Sequence, residues 1–337
     1  MDPKYDAILV VSFGGPEGPD DVIPFLENVL RGRDVPRARM LEVAEHYQQF
    51  GGVSPINSQN RALVAALRGE LQRQRVGLPV YWGNRNWHPL LPDTLRGMHR
   101  DGVRRALALV TSPYSSYSNC RQYLGNIEQA RQEVGADAPE VHKLRGFHNH
   151  PDFIQPMTQR VGEALNQLPP ARRDAATLLY TAHSIPLTMA AGCQYESQLR
   201  DASGLVSSGL NRSDWRLAYQ SRSGPPDQPW LEPDVLHVLS EIDRSGGSRD
   251  VIVVPIGFMS DHMEVIYDLD TEARQHCEQL GLNMIRAATV GTDPILIRMI
   301  CKLVLERTAG APRESLGNQG PWPDLCPSDC CPSGRRP

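Results

Sequence analysis

Ile8-Leu9-Val10-Val11-Ser12-Phe13-Gly14-Gly15 and, half a chain later, Leu178-Leu179-Tyr180-Thr181-Ala182-His183-Ser184 read alike: an apolar run empties into a loop of small or polar residues. Strands are predicted at Ala7 to Ser12, Pro79 to Trp82, Arg105 to Val110, Thr177 to Thr181, Arg216 to Tyr219 and Val251 to Pro255. Amphipathic stretches at Asp20 to Leu30, Ser58 to Arg75, Cys120 to Val134, Phe153 to Leu168 and Pro233 to Ile242 read as helices between them. Gly135 and the Pro169-Pro170 pair supply stops. Short apolar runs alternating with longer amphipathic ones are the α/β pattern. The two similar openings imply a pseudo-repeat of two doubly wound domains with a boundary near His142 to Pro170. In such sheets ligands sit beyond the carboxyl ends of the strands, so these loops are where chemistry is expected.

Length and composition bound the rest. A chain of 337 residues exceeds what one core comfortably serves. Hydrophobic content of 40%, charged content of 22% and a mean hydropathy of −0.40 describe a globular chain without a lipid-spanning segment. A net charge of −4 and a pI near 6.2 argue against nucleic acid, whose partners carry a basic field. Met1 to Phe13 lacks a basic leader and a small-residue cleavage site, so the chain reads as cytoplasmic. Seven cysteines, an odd number without a disulfide framework, agree with that compartment.

The first loop invites a nucleotide reading and then refuses it. Gly14, Gly15 and Gly18 follow a strand, but Pro16 and Pro19 interrupt them and G-x-G-x-x-G is absent. Proline removes N–H groups that a pyrophosphate needs, so no nucleotide cofactor is expected.

The second loop carries His183. A lone histidine after a strand is more often a structural hydrogen-bonding group; here Pro186 blocks simple continuation into a helix, and imidazole exchanges protons near neutral pH. Downstream, Gly257-Phe258-Met259-Ser260-Asp261-His262-Met263-Glu264 begins just past a strand, with Ser260 or Asp261 as the expected helix cap. Glu264, Asp268 and Glu272 recur four apart on one helical face. A solvated acidic face is the bland reading, since like charges at this spacing repel by a few tenths of a kcal/mol, roughly. Val265, Ile266 and Leu269 oppose it by implying a partly buried helix. Hard carboxylate oxygens in a row can pass a hydrated divalent cation along without trapping it, whereas a permanent zinc site wants closed nitrogen or sulfur ligation.

With Ser12-Phe13-Gly14-Gly15-Pro16-Glu17-Gly18-Pro19, Gly51-Gly52-Val53-Ser54-Pro55-Ile56-Asn57, Thr181 to Pro186, Gln220 to Pro226 with Pro229 to Pro233, and Pro255 to Glu264, the chain resembles the ferrochelatases, especially their actinobacterial-type branch, to about Leu305. The resemblance implies a chelatase fold: two Rossmann-like domains, residues 1–145 and 146–307, with a porphyrin in the cleft between them. The last helix of the second domain is expected to pack back on the first, and residues 308–337 to form a flexible cysteine-containing tail. It implies that His183 accepts pyrrole protons, that Glu264 faces it, and that Asp268 and Glu272 extend an iron path, with His183 and Glu264 also metal-facing. Phe13, Tyr117, Trp230 and Phe258 are the candidates to line the cleft, although most aromatic residues are simply core. Fe²⁺ is then a substrate, and other haem-pathway enzymes are open as partners beside the porphyrin.

Two departures bear on the substrate. Some coproporphyrin-using relatives place a metal-facing tyrosine where this chain has Phe13. Membrane-associated relatives carry an apolar lip where this chain has Arg31, Arg33, Arg37 and Arg39, which are either an ordinary solvated face or partners for propionates. Together with the actinobacterial look, the arginines favour coproporphyrin III over protoporphyrin IX. A related chelatase acting with cobalt on a reduced ring and a non-catalytic porphyrin-binding module are the alternatives.

The tail places Cys326, Cys330 and Cys331 within six positions. A [2Fe–2S] cluster takes four thiolates. Several ferrochelatases similar to this chain hold one with C-terminal cysteines and one internal cysteine, for which Cys120 is the first candidate and Cys193 the second. Free thiols in a flexible tail are the alternative. Cys277 and Cys301 fall in helical patterns and read as core, and the His148-x-His150 pair beside Pro151 as structural.

Overall fold

The computed structural model describes residues 4–33, 35–225 and 227–334; Pro226 of the quoted motif and the extreme ends of the expected first domain and tail lie outside the described residues. Strands β1 (Ala7–Ser12), β2 (Val80–Asn84), β3 (Arg105–Val110) and β4 (Glu140–Lys143) form one parallel sheet in the order β2-β1-β3-β4. Strands β5 (Thr177–His183), β6 (Trp215–Gln220), β7 (Asp250–Val254) and β8 (Asn283–Arg286) repeat it as β6-β5-β7-β8. Helices cover both faces of each sheet, so the central strands read as continuous apolar runs. Every residue of β1 is buried, and so are Leu178 to Ala182 of β5. In each sheet the chain reverses direction at the first strand, opening a crevice at the carboxyl end of β1 and of β5.

Two strands depart from the expected set. Both β4 (Glu-Val-His-Lys) and β8 (Asn-Met-Ile-Arg) are short edge strands, polar enough to escape an apolar-run criterion. β5 also runs two residues further than expected, so His183 is the last residue of the strand itself.

The last helix, Pro294–Thr308, turns back onto the helices Ile56–Arg73 and Pro151–Leu165. One core cluster therefore joins Ile8, Leu107 and Leu67 to Leu178, Ile252, Leu296 and Val304. Inside it, Arg145 clamps Glu306 with two prongs, Nε to Oε2 at 2.7 Å and Nη2 to Oε1 at 2.8 Å. Beyond Thr308 the chain has no regular element among the described residues, yet it is pinned along its course. Asn149 donates to the carbonyl oxygens of Leu316 (3.3 Å) and Gly320 (2.9 Å). Arg121 donates to those of Pro327 and Cys330, the latter at 2.8 Å. Pro332 nests on Gly192, where a Cβ would come within 2.5 Å of it. No helix among the described residues is long and apolar enough to cross a membrane.

Candidate functional site

The register of β5 against β6 places His183 beside Gln220, and the Ser184 N–H donates to the Gln220 carbonyl at 2.8 Å. Two parallel strands thus end together, and their tips carry His183 and Ser184, Gln220 and Ser221. Tyr195 fixes the first tip by donating its hydroxyl to the His183 carbonyl (3.1 Å). The His183 Nδ1–H donates to the Ser184 carbonyl, which leaves Nε2 as the atom that takes up or releases a proton. Nε2 lies 3.5 Å from Oε1 of Glu264, with 31% and 41% of the two side chains exposed.

Glu264 opens a short helix, Met263–Ile266, that the sequence reading caps with Ser260 or Asp261. His262 is the cap instead: its Nδ1 accepts the Glu264 N–H at 3.2 Å. Asp261 is unavailable because it accepts from Arg286 and Thr289, each at 3.2 Å. A regular helix was also expected through the acidic row, but Asp268–Ala273 is a π-helix that precedes the α-helix Arg274–Leu280. The Glu272 N–H donates to the Tyr267 carbonyl at 2.9 Å, the i to i−5 bond of a π turn. The widening has a geometric use. In an α-helix, residues four and eight apart drift around the axis by about 40° and about 80°. The π turn widens the step from Asp268 to Glu272, so it offsets the drift of the preceding α turn and brings Glu272 back towards the line of Glu264.

Charge sorts these acids. Asp261 and Asp270 are both engaged by Arg286. Asp268 takes a neutral donor, the Ser221 hydroxyl. Glu272 is exposed, with the charges of Asp234 and Arg39 nearby. Burial alone would lower the pKa of His183; the charge and hydrogen bond of Glu264, the Ser184 carbonyl and Asp268 outweigh it and hold it up at about 9. Glu264 goes the other way. Burial would raise it, but His183 and His262 pull it down to about 2. Asp268 is lifted to about 7 by burial, with Glu264 and Glu272 adding and Ser221 opposing. The His183–Glu264 pair is therefore ionised at neutral pH beside a carboxyl group poised to exchange protons.

The facing wall comes from the first half of the chain. Tyr123 and Tyr47 are each raised chiefly by burial and further by the charge of Glu264, which places both near the acidic head. His46 stacks on Tyr267 with ring centroids 3.8 Å apart, bridging the helix Arg37–Gln48 to the acidic segment. Phe13 packs with Phe25, Trp87 and Tyr47. The Arg85 guanidinium lies 5.5 Å from the Phe13 ring centre and 4.5 Å from that of Tyr123. Trp230 is bridged to Pro186, close behind His183, and its ring fills the space above Gly224. Tyr117 opens a π turn, Tyr117–Arg121, on the opposite half. Phe258 is 8% exposed, packed in the second-half core with its ring edge-on to His262 at 4.9 Å. It supports the cap of the acidic helix. No sequence signal singles out Gln220, Ser221, His262 or Tyr195 individually, although Gln220 and Ser221 stand in one of the quoted motifs and His262 in another.

A separate thiol neighbourhood lies under the tail. Cys120 is buried in the π turn Tyr117–Arg121, and Cys331 is 5% exposed. The pKa of Cys331 is raised by burial first, then by Cys120, Cys330 and Cys193; that of Cys326 by burial, Cys330 and Cys120. The sulfurs are thus close enough to oppose one another's ionisation, although no group of three or more His, Cys, Asp or Glu among the described residues is set in metal-binding geometry. Cys277 and Cys301 are buried elsewhere in the core. His150 caps the helix Pro151–Leu165, its Nδ1 accepting the Asp152 N–H at 3.0 Å.

The sequence model of the ferrochelatase family matches residues 5–308. A protein of Rhodopirellula baltica named ferrochelatase is 56% identical over 98% of this chain and 94% of its own length. Proteins named coproporphyrin III ferrochelatase from Frankia alni and Streptomyces coelicolor are 52% and 49% identical, over 97% and 98% of this chain and 86% and 94% of theirs. Among solved structures, SirB from Bacillus subtilis with Fe³⁺ superposes with a TM-score of 0.57 at 12% identity, covering 91% of this chain and 97% of that one. At that identity the likeness speaks for the chelatase fold alone. The sequence matches go further: this chain belongs to the ferrochelatase family.

Proposed function

We propose that this protein inserts Fe²⁺ into coproporphyrin III in haem biosynthesis, using His183 as proton acceptor and Glu264 as the head of the iron path. The observation that carries this reading is the His183 Nε2 to Glu264 Oε1 approach of 3.5 Å at the mouth of β5. A free-base porphyrin holds two N–H protons inside a nearly flat ring, so a metal enters only as the ring bends and the protons leave. A cleft that grips the bent ring binds it more tightly than the flat one and lowers the barrier. Fe²⁺ travels from Glu272 past Asp268 to Glu264, shedding water as carboxylate oxygens replace it. Its arrival cancels the Glu264 charge that keeps His183 protonated. The imidazolium then releases its proton towards Asp268 and becomes the base that the pyrrole nitrogens need. His183 takes the two pyrrole protons one after the other, passing the first through Asp268 to solvent before it accepts the second, so each insertion exchanges one Fe²⁺ for two protons.

The substrate choice is supported by the names of the actinobacterial relatives and by exposed Arg31, Arg33, Arg37 and Arg39 near the first wall, since extra propionates suit a wet, cationic lip. Such a lip also fits a cytoplasmic protein that hands product to other haem-pathway enzymes.

The tail thiols have the donor chemistry of a [2Fe–2S] site. Cys120, Cys326, Cys330 and Cys331 would hold the cluster, which would supply a crosslink between tail and first half. Arg121 already gathers the tail donors through the carbonyls of Pro327 and Cys330.

The activity is tested by anaerobic assay with Fe²⁺ and either coproporphyrin III or protoporphyrin IX, following loss of porphyrin fluorescence. Faster turnover of coproporphyrin III is expected. Preference for protoporphyrin IX corrects the substrate, and preference for cobalt with a reduced ring moves the protein to the neighbouring chelatases. Porphyrin binding without insertion of any metal overturns the reading.

A further inference from the structure

Ser221 follows the last residue of β6 and has a φ of +61°. A non-glycine residue rarely adopts this left-handed conformation, and where it does the surrounding structure must hold it there. The tip of β6 meets the acidic segment twice. The Gln220 side-chain amide donates to the Glu264 carbonyl, and the Ser221 hydroxyl donates to Oδ2 of Asp268. The tip of β5 meets the same segment through His183, and the two tips are tied together by the bond from Ser184 to Gln220 at 2.8 Å. The left-handed turn thus spends its strain on lifting one hydroxyl to one carboxylate.

The partners of the neighbouring acids show what that hydroxyl does. Asp261 and Asp270 are bound by the Arg286 guanidinium, which cancels their charge and makes them structural. A hydroxyl fixes the direction of a carboxylate without bringing an opposing charge, so Asp268 in its ionised form meets a passing cation with no guanidinium already paired to it. We propose that Ser221 is a positioning residue for metal delivery, holding the Asp268 carboxylate on the line between Glu272 and Glu264 so that Fe²⁺ is handed inward. The assignment rests on the iron-insertion reading above and adds to it a residue that acts through the Asp268 carboxylate.

The test measures four quantities in wild type, Ser221→Ala, Ser221→Gly and Ser221→Asn: KM for Fe²⁺, kcat, Kd for coproporphyrin III by fluorescence quenching, and the thermal midpoint. Ser221→Ala is expected to raise the KM for Fe²⁺ about tenfold, the scale of one hydrogen bond to a charged group, with Kd and thermal midpoint unchanged. Ser221→Gly should show the same defect although its backbone is relaxed. Ser221→Asn, which tolerates the left-handed conformation and brings a donor, should recover most of the loss. An Fe²⁺ KM within twofold of wild type in both Ser221→Ala and Ser221→Gly overturns the assignment. So does a joint loss of porphyrin affinity, thermal midpoint and kcat that Ser221→Asn does not repair, because that is the pattern of a merely structural residue. Wild-type turnover in the same series separates the two claims: a wild type that binds porphyrin without inserting iron refutes the activity and the assignment together, whereas active wild type beside unaffected variants refutes the assignment alone.

Discussion

Glu264 Oε1 lies 3.5 Å from Nε2 of His183, and each partner holds the other in its charged form. This makes the pair a pH-dependent contribution to stability with a definite sign. His183, raised to about 9, contributes fully below its ordinary value of 6.5 and loses the contribution as pH rises through about 9. Glu264, lowered to about 2, contributes above its ordinary 4.5 and loses it as pH falls through about 2. The window of full strength is therefore pH 4.5 to 6.5. Urea midpoints of wild type and Glu264→Gln should differ most there and converge by pH 10 or so. A difference that stays constant from pH 5 to 10 would show that the pair is not ionised as described.

Arg145 and Glu306 have side chains only 1% exposed, and their ion pair ties the first half of the chain to its last helix. Removing one partner strands a buried charge, which costs about 3–5 kcal/mol. Arg145→Met and Glu306→Leu should each lower the denaturation midpoint strongly, while the double variant Arg145→Met/Glu306→Leu recovers part of the loss. A loss in the double variant equal to the sum of the two single losses would argue against direct pairing.

Gly257 stands against the strand that carries His183. A Cβ there would lie 2.7 Å from the Ala182 Cβ and 2.8 Å from the Ala182 Cα, so backbone must move to admit it. Gly257→Ala should cost about 1–3 kcal/mol in stability and reduce kcat well beyond its effect on porphyrin Kd, since β5 shifts under His183. Unchanged kcat would show that the strand tip tolerates displacement.

The thiol neighbourhood makes a colour prediction. Protein purified anaerobically should carry iron and visible absorbance, both lost in Cys120→Ser and Cys331→Ser and kept in Cys301→Ser, whose thiol is buried apart from the tail. Colourless, iron-free wild type would contradict the cluster.

Much of this arrangement is legible in the sequence because parallel strands covered on both faces have no polar alternation to hide them. β1 and β3 match the apolar runs residue for residue. The edge strands β4 and β8 are hidden for the converse reason: each is only four residues long, at least half polar and for the most part not fully buried. The acidic row is visible as a four-residue spacing, but nothing in that spacing distinguishes an α turn from a π turn. The decision is made by tertiary anchors, with Arg286 holding Asp270 and His46 stacked on Tyr267. His262 escaped as a cap because Ser260 and Asp261 are the stronger residues for that task by propensity, and Arg286 and Thr289 claim Asp261 first. Ser221 is a left-handed serine in a motif whose glycine and prolines draw the eye, and only the fold brings it to Asp268.

Whether His183 and Glu264 act as one unit in iron insertion is decided by a double-mutant cycle. Anaerobic insertion of Fe²⁺ into coproporphyrin III is measured for wild type, His183→Ala, Glu264→Gln and the double variant, with porphyrin Kd determined for each. Either single change should lower kcat by a factor on the order of 100 or more with little change in porphyrin Kd, and the second change should add almost nothing to the first. Full turnover in His183→Ala, or losses that multiply in the double variant, would contradict joint action of the pair.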